Sequence, residues 1–365
     1  MRDEDAVQLL IAVEDALERG KEGREVPSSS LNETHTEAPI GPLRMAMSDL
    51  VDDRPDPLIF SPLRMAVHHG RVLGYIPLLF WLLAHHTQRT LVGIAAYYLL
   101  RFRSPQWRQL VRHFLVCGSS RRPRLIRAQS KPYDNTKQYL LCAHPHGILN
   151  GSWWNLISRF GLQLVDGLQL IMCVAPAVQW YPLYGELFED RITDASKRTI
   201  QRILKDTNLT PCLIPGGFSE ATYTGAQPDV EYSYIADRLG FIRMAIEAGV
   251  DIIPSYSYGL NDMYVTLEWQ RHWRAVKAQA LGLPTVLWTG PFLLGNVPFT
   301  EDITVVTFDP FPTSQYTVDQ TAKAHADYMD YLKRCFDSRK AECGAGHKRL
   351  EFIGKNQRPA SRSKL

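Results

Sequence analysis

Two short stretches of the chain carry residue types and spacings able to do chemistry. The first is His144-Pro145-His146-Gly147, inside LCAHPHGILNG. The second is LIPGGFSEA, in which Pro215, Gly216 and Gly217 are followed by Ser219 and Glu220. A histidine held by a carboxylate can serve as a general base, because the carboxylate fixes the tautomer and stabilises the imidazolium formed when a hydroxyl gives up its proton. Glycine-flanked N–H groups let the backbone approach a ligand closely and can stabilise a carbonyl oxyanion. One base and one oxyanion site, with no metal, no cofactor and no covalent intermediate, suit acyl transfer from a thioester to an alcohol.

Rival chemistries can be weighed against the same letters. A metallo-hydrolase could take His144 and His146 as zinc ligands, but the continuation Gly147-Ile148-Leu149-Asn150 offers neither a carboxylate nor a third histidine. A lipid serine hydrolase could use Ser219, since GFSEA approximates a nucleophile elbow and His272, His325 and His347 lie downstream. Such an elbow is followed at once by a helix, whereas here TYTGAQPDVEY intervenes. A phosphate-cradling loop of the G-x-x-x-x-G-K-[ST] type is absent from the sequence. A lipid-binding or transfer protein that keeps the fold without the chemistry is the non-enzymatic reading.

The elements that must position these loops can be read from apolar periodicity. QYLLCA, LQLIMCVA, TPCLI and DIIPSYSYG read as strands. Leu149, Trp153, Leu156, Ile157 and Phe160 recur at helical spacing, Ile200, Ile203 and Leu204 mark a second helix, and GFIRMAIEAG a third, closed by Gly249. Apolar strands alternating with amphipathic helices predict an α/β fold with a mostly parallel sheet flanked by helices. Ligands of such sheets collect at the carboxyl ends of the strands, where both loops fall.

The rest of the chain sets the organisation. Residues 1–60 read as a flexible N-terminal region on composition. Residues 61–107 hold two apolar stretches, RVLGYIPLLFWLLA and TLVGIAAYYLL, around a polar HHTQR, and predict a membrane-associated helical hairpin. Each stretch is shorter than a spanning helix requires. Residues 108–353 form the predicted catalytic domain and 354–365 a basic tail. Basic residues gather from His347, Lys348 and Arg349 onward, which predicts solvation or contact with anionic lipid. With 45% hydrophobic and 22% charged residues and a net charge of +3 the chain is globular, and no basic stripe suggests a nucleic-acid partner. The six cysteines show no CxxC spacing, and Cys142, Cys173 and Cys212 sit in strand-like runs as buried thiols. No secretory signal opens the sequence. The last three residues, Ser363-Lys364-Leu365, form an address for the peroxisomal import receptor.

Several blocks in order carry a family resemblance: HPHG, YPLYGELF, LIPGGFSEA, RLGFIRMAIEAGVDIIP, YSYGLNDMY and GHKRLEF. Together they resemble the type-2 diacylglycerol acyltransferases, a family that includes monoacylglycerol and wax-alcohol acyltransferases, over roughly residues 60–353. The resemblance implies a glycerolipid-acyltransferase-like fold behind a hydrophobic hairpin. It also implies transfer of an acyl group from acyl-CoA, as co-substrate, to diacylglycerol or another lipid alcohol, with membrane lipid as a further partner. It implies a catalytic histidine loop, with His146 preferred as base and His144 orienting the loop, the reverse order being the alternative, and Pro145 and Gly147 lining it. Related enzymes have an Asp five residues after the histidine; here those places hold Leu149 and Gly151, so Glu220 is the expected partner. Pro215, Gly216, Gly217 and Ser219 are expected at the acyl group, Arg238 and Arg243 at the CoA phosphates, and Tyr181, Pro182, Tyr184 and Glu186 along the acyl groove. The family's home is the endoplasmic reticulum membrane and the lipid droplet, with the peroxisome as alternative from Ser363-Lys364-Leu365. A homo-oligomer is left open.

Overall fold

In a computed structural model the described residues are 81, 84–103, 124–148, 165, 167–176, 192–281, 285–291, 299 and 302–356. They belong to two compact units. The described part of the first is helix α1 (Thr87–Arg103), which leaves Leu91, Val92 and Leu99 exposed. It coincides with the second apolar stretch of the expected hairpin. Most of the first stretch lies outside the described residues, as do Leu149–Phe160, Tyr181–Glu186, Cys117 and the Ser363-Lys364-Leu365 ending. Among the described residues no helix is long and apolar enough to cross a membrane.

The second unit is built on a seven-stranded sheet. In chain order its strands are β1 (Arg124–Arg127), β2 (Tyr139–His144), β3 (Gln169–Val174), β4 (Ile192–Asp194), β5 (Leu209–Leu213), β7 (Asp251–Tyr258) and β10 (Thr304–Thr307). Their spatial order is β1-β10-β7-β2-β5-β3-β4, and every neighbour is parallel except β10 with β7. The sheet is therefore mixed, with a parallel centre flanked by helices. β2 lies in that centre and is buried along its whole length, which is why it reads as a continuous apolar run.

Alternation along β2 sorts its side chains onto two faces. Leu140 and Cys142 pack with helices α2 (Lys197–Asp206), α4 (Gly240–Ala248) and α6 (Thr321–Arg339), among Ile200, Phe241, Tyr328 and Phe336. Tyr139, Leu141 and Ala143 pack on the other face with Leu170, Met172 and Ile253. By the same parity His144, the last residue of β2, falls on the side of α6. The Ser196 side chain caps α2, and Gly249 ends α4 in the left-handed region at φ 66°, a conformation glycine adopts without a Cβ penalty. Cys142, Cys173, Cys212 and Cys335 are buried and are not in disulfides.

A second, smaller sheet pairs β6 (Val230–Ser233) in parallel with β11 (Arg349–Phe352). The sequence reads β6 as part of an irregular stretch after GFSEA, because alternate positions of this four-residue strand are the polar Glu231 and Ser233, yet all four residues are buried. Glu231 is compatible with burial because Lys348, immediately before β11, places its Nζ 2.7 Å from Glu231 Oε1 and bonds Asp262 Oδ1 as well. Asn261 donates to the second oxygen of Glu231, and the Tyr256 hydroxyl donates to it at 3.4 Å. Lys348 is therefore not part of a solvated basic tail. Burial pulls its pKa down, but Glu231 and Asp262 outweigh that and hold the ammonium charged.

Removing one member of such a pair strands a buried charge, at a cost of about 3–5 kcal/mol, whereas replacing both by apolar groups costs much less. Lys348→Met should lower unfolding stability by that amount in urea titration. The double variant Lys348→Met/Glu231→Met should recover most of the loss.

Candidate acyl-transfer site

β2 and β5 are adjacent and parallel, with Leu141 paired to Cys212 and Cys142 to Leu213. The loops that follow them, His144–Gly147 and Ile214–Gly217, therefore leave the sheet side by side at its carboxyl edge. The chain after β5 turns directly into α3 (Gly217–Ala221), which carries Glu220.

Glu220 is the meeting point of three segments. One carboxylate oxygen accepts the main-chain N–H of His146 at 2.6 Å. The other accepts the main-chain N–H of Tyr234 at 2.7 Å and the Ser233 hydroxyl at 3.0 Å. The side chain is 2% exposed. Burial raises its pKa, against the pull of these three donors and of the Arg238 guanidinium. The expectation that Glu220 would hold the imidazole is thereby changed in one respect: the carboxylate grips the His146 backbone, because the donors within its reach are amides at the ends of β2 and β6. Gly216 is required by the same contact, since a Cβ there would stand 2.1 Å from a Glu220 oxygen. Gly147, at φ 63°, likewise leaves no room for a side chain against Leu260.

The two histidines occupy different surroundings. His146 faces a cleft of about 490 Å³, together with Pro215, Gly217, Phe218, Ser219 and Arg238. Its Nδ1 lies 2.7 Å from the Gly147 carbonyl, which can only accept, so Nδ1 carries the proton and Nε2 the lone pair. Burial brings the His146 pKa down to about 4; the Gly147 bond opposes this and the Arg238 charge adds to it. His144 is fully buried, is not a cleft residue, and lies with Nε2 3.1 Å from the Tyr328 hydroxyl of α6. Burial alone takes its pKa to about 3. Pro145, joined to His144 by a cis peptide bond, is buried between them.

The remaining expected residues divide. The Ser219 hydroxyl donates to the Ala275 carbonyl at 2.8 Å and accepts from Arg238 Nη2 at 3.1 Å. Its proton is thus directed at a carbonyl rather than an imidazole, which is not the geometry of an activated serine. Gly217 N–H closes the turn onto the Ile214 carbonyl at 3.1 Å, so it is engaged within the loop rather than offered to a ligand. Arg238 lines the cleft beside His146, with its guanidinium 5.4 Å from the Tyr234 ring and its Nε without a partner among the described residues. Arg243 is not brought to the site: it pairs with Glu247 at 2.7 Å on the outer face of α4. Among the described residues no three or more His, Cys, Asp or Glu side chains are grouped to hold a metal. Sequence reasoning missed Ser233 and Tyr234, which complete the Glu220 clamp, and Tyr328. Tyr328 was accessible through the Ala324, Tyr328, Leu332, Cys335 spacing of α6.

A buried neutral imidazole thus lies in the wall of an apolar cleft, with its loop held from behind by the Glu220 carboxylate. Residues 101–352 match the family model described as diacylglycerol acyltransferase, and the chain belongs to that family. It is an O-acyltransferase of lipid biosynthesis. The chain is 29% identical to human (Homo sapiens) 2-acylglycerol O-acyltransferase 3 over 257 residues, covering 65% of this chain and 72% of that protein. It is 28% identical to 2-acylglycerol O-acyltransferase 1 of Mus musculus, covering 68% and 76%. Against diacylglycerol O-acyltransferase 2 of Dictyostelium discoideum it is 26% identical, covering 58% and 68%. Among solved structures, the 1-acyl-sn-glycerophosphate (LPA) acyltransferase PlsC from Thermotoga maritima aligns with a TM-score of 0.39 and 12% identity, over 77% of this chain and 97% of that one.

Glu220→Gln is not conservative here. All three partners of the carboxylate are donors, so an amide nitrogen at either position faces an N–H. The variant should lose about 2–3 kcal/mol of stability in thermal or urea unfolding. Gly216→Ala should unfold at lower temperature and lose transfer activity together, because its methyl displaces the carboxylate.

Proposed function

We propose that the protein transfers a fatty acyl group from acyl-CoA to the free hydroxyl of diacylglycerol, with His146 as general base. The observation that carries this reading is the His146 ring, neutral and with Nε2 left as acceptor, at the wall of a cleft lined by Val174, Ile214, Phe218, Phe241 and Met244. Nε2 takes the acceptor's hydroxyl proton as the oxygen attacks the thioester carbonyl. The tetrahedral intermediate collapses with cleavage of the C–S bond, and the imidazolium returns the proton to the departing thiolate. Glu220 serves by fixing the His146 main chain, so that the ring keeps its place without itself bearing a counter-charge. Arg238 brings positive charge to the acyl-CoA in the cleft. The apolar lining suits the acyl chain. Diacylglycerol is preferred as acceptor on the description of the family. The names of the relatives make 2-acylglycerol the second reading. By the same resemblance the protein works at the endoplasmic reticulum membrane and the lipid droplet. Imaging a tagged chain with and without Ser363-Lys364-Leu365 tests that placement against the peroxisome.

Membranes supplied with labelled acyl-CoA and separate diacylglycerol, 2-acylglycerol and long-chain alcohol acceptors test the reaction. His146→Ala should lower kcat by about 10²–10⁴-fold, the usual contribution of a general base. Ser219→Ala, which loses the bond to the Ala275 carbonyl and the one from Arg238 but no base, should lose far less than His146→Ala. Loss confined to Ser219→Ala, with labelling by a fluorophosphonate, would replace this reading by a serine hydrolase. Turnover only with 2-acylglycerol would move the acceptor.

The acid limb of the pH profile gives a second check. The base works when unprotonated, and His146 binds its proton only near pH 4. kcat/KM should therefore stay level from pH 8 down to pH 6. An ordinary histidine of pKa about 6.5 would already be protonated in roughly three quarters of molecules at pH 6.

A further inference from the structure

The helix that closes one side of the cleft also presents an aromatic surface that the reaction leaves unused. α5 (Arg271–Leu281) turns Ala275 and Ala278 inward: the Ala275 carbonyl accepts the Ser219 hydroxyl, and Ala278 is part of the cleft wall. Its opposite stripe, Trp273, Lys277 and Ala280, is exposed. Trp273 is 56% exposed and Trp269, in the turn before the helix, 65%. Leu267 and Leu287 are 46% and 41% exposed and are joined by a main-chain bond, Leu267 N–H to the Leu287 carbonyl at 2.9 Å. They stand beside the two-stranded pair of β8 (Val265–Thr266) and β9 (Trp288–Thr289). Two indoles and two leucines left in water on α5 and the segments flanking it are costly, and such a patch marks a contact.

The chemistry of the patch points to a lipid surface. Indole rings favour the headgroup level of a bilayer, with leucines entering the acyl boundary. The Lys277 ammonium lies 5.6 Å from the Trp273 ring centre, an arrangement that keeps the charge beside the aromatic surface. Arg274 is buried and donates to the Trp269, Thr285 and Leu267 carbonyls, so the charges that reach the surface between residues 267 and 288 are exposed Lys277 and half-buried Arg271 against the single carboxylate of Glu268. That balance complements anionic headgroups. We propose that Leu267, Trp269, Trp273, Lys277 and Leu287 form a docking surface for a bilayer containing anionic lipid, which sets the α5 wall of the cleft on the membrane that supplies the acceptor. The surface itself is argued from these residues; only its link to acceptor delivery rests on the function proposed above.

Indole fluorescence reads the contact directly. The full chain and its Trp269→Phe/Trp273→Phe variant, which keeps the apolar surface, are compared on vesicles of phosphatidylcholine and phosphatidylserine. The emission lost with the two indoles should be quenched by brominated acyl chains and shielded from aqueous acrylamide when vesicles are present. Equal acrylamide access with and without vesicles overturns the proposal. Shielding without vesicles also overturns it, since a protein or a second copy then covers the patch. In transfer assays, Trp269→Ala/Trp273→Ala should raise the KM for vesicle-borne diacylglycerol severalfold with kcat unchanged, and should transfer to detergent-dispersed diacylglycerol at the wild-type rate. Lys277→Glu should raise the same KM on vesicles with phosphatidylserine and not on phosphatidylcholine alone. Equal loss in detergent and vesicles would make the tryptophans structural. Absence of diacylglycerol transfer by the wild type in every medium would remove the acceptor reading, and the fluorescence would still decide the docking.

Discussion

The architecture of the site depends on one buried carboxylate. Glu220 accepts hydrogen bonds from the His146 amide, the Tyr234 amide and the Ser233 hydroxyl, and these three donors come from segments far apart in sequence. Each bond to a charged acceptor is strong at close range in a low dielectric, and a donor left unpaired there is costly. The carboxylate thereby sets the end of β2, the start of α3 and the end of β6 relative to one another. The division of labour between the histidines follows from it: the clamp fixes His146 by its backbone, so its ring is free to meet a ligand, while His144 is held through Tyr328 on α6.

Burial also sets the electrostatics of His146. His146 lies where an imidazolium is disfavoured by loss of water and by the Arg238 guanidinium. Such a ring is a weaker base than a free histidine but is always in the form that can accept a proton at physiological pH. A catalytic dyad in which a carboxylate touches the ring would shift this balance toward the imidazolium. Here the negative charge is kept on the backbone side of the loop, and Arg238 provides positive charge on the cleft side.

The parts of this arrangement that the sequence displays are those governed by apolar runs and by glycine. β2 and β3 are nearly continuous apolar stretches, β5 and β7 are apolar-rich runs that also hold Thr210, Ser255 and Ser257, and α2 and α4 show three or four apolar residues on one face with a cap or a Gly stop. The two loops at strand ends were visible for the same reason. β6 was hidden because half of its buried residues, Glu231 and Ser233, are polar groups whose partners, Lys348 and Glu220, lie 117 and 13 residues away. No local pattern shows that a lysine near the C-terminus neutralises a carboxylate in a strand, so Lys348 read as part of a basic tail. Arg243 shared a motif with Arg238 but, five residues further along, falls on the outer face of α4 with Glu247.

The pairing of β6 with β11 bears on the order in which the molecule can be completed. β6 supplies Ser233 to the carboxylate that grips the His144–Gly147 loop and leads directly into Tyr234, while its neighbour in the small sheet, Arg349–Phe352, is the last strand among the described residues. During synthesis the chain through α4 and β7 emerges while Glu231 still lacks its cation and β6 its parallel neighbour. The ammonium of Lys348 and the β11 ladder arrive together, after α6. The site is thus made from early residues but backed by late ones, so a nascent chain stopped short of residue 348 has both loops and the Glu220 clamp, but neither the cation nor the ladder that supports β6.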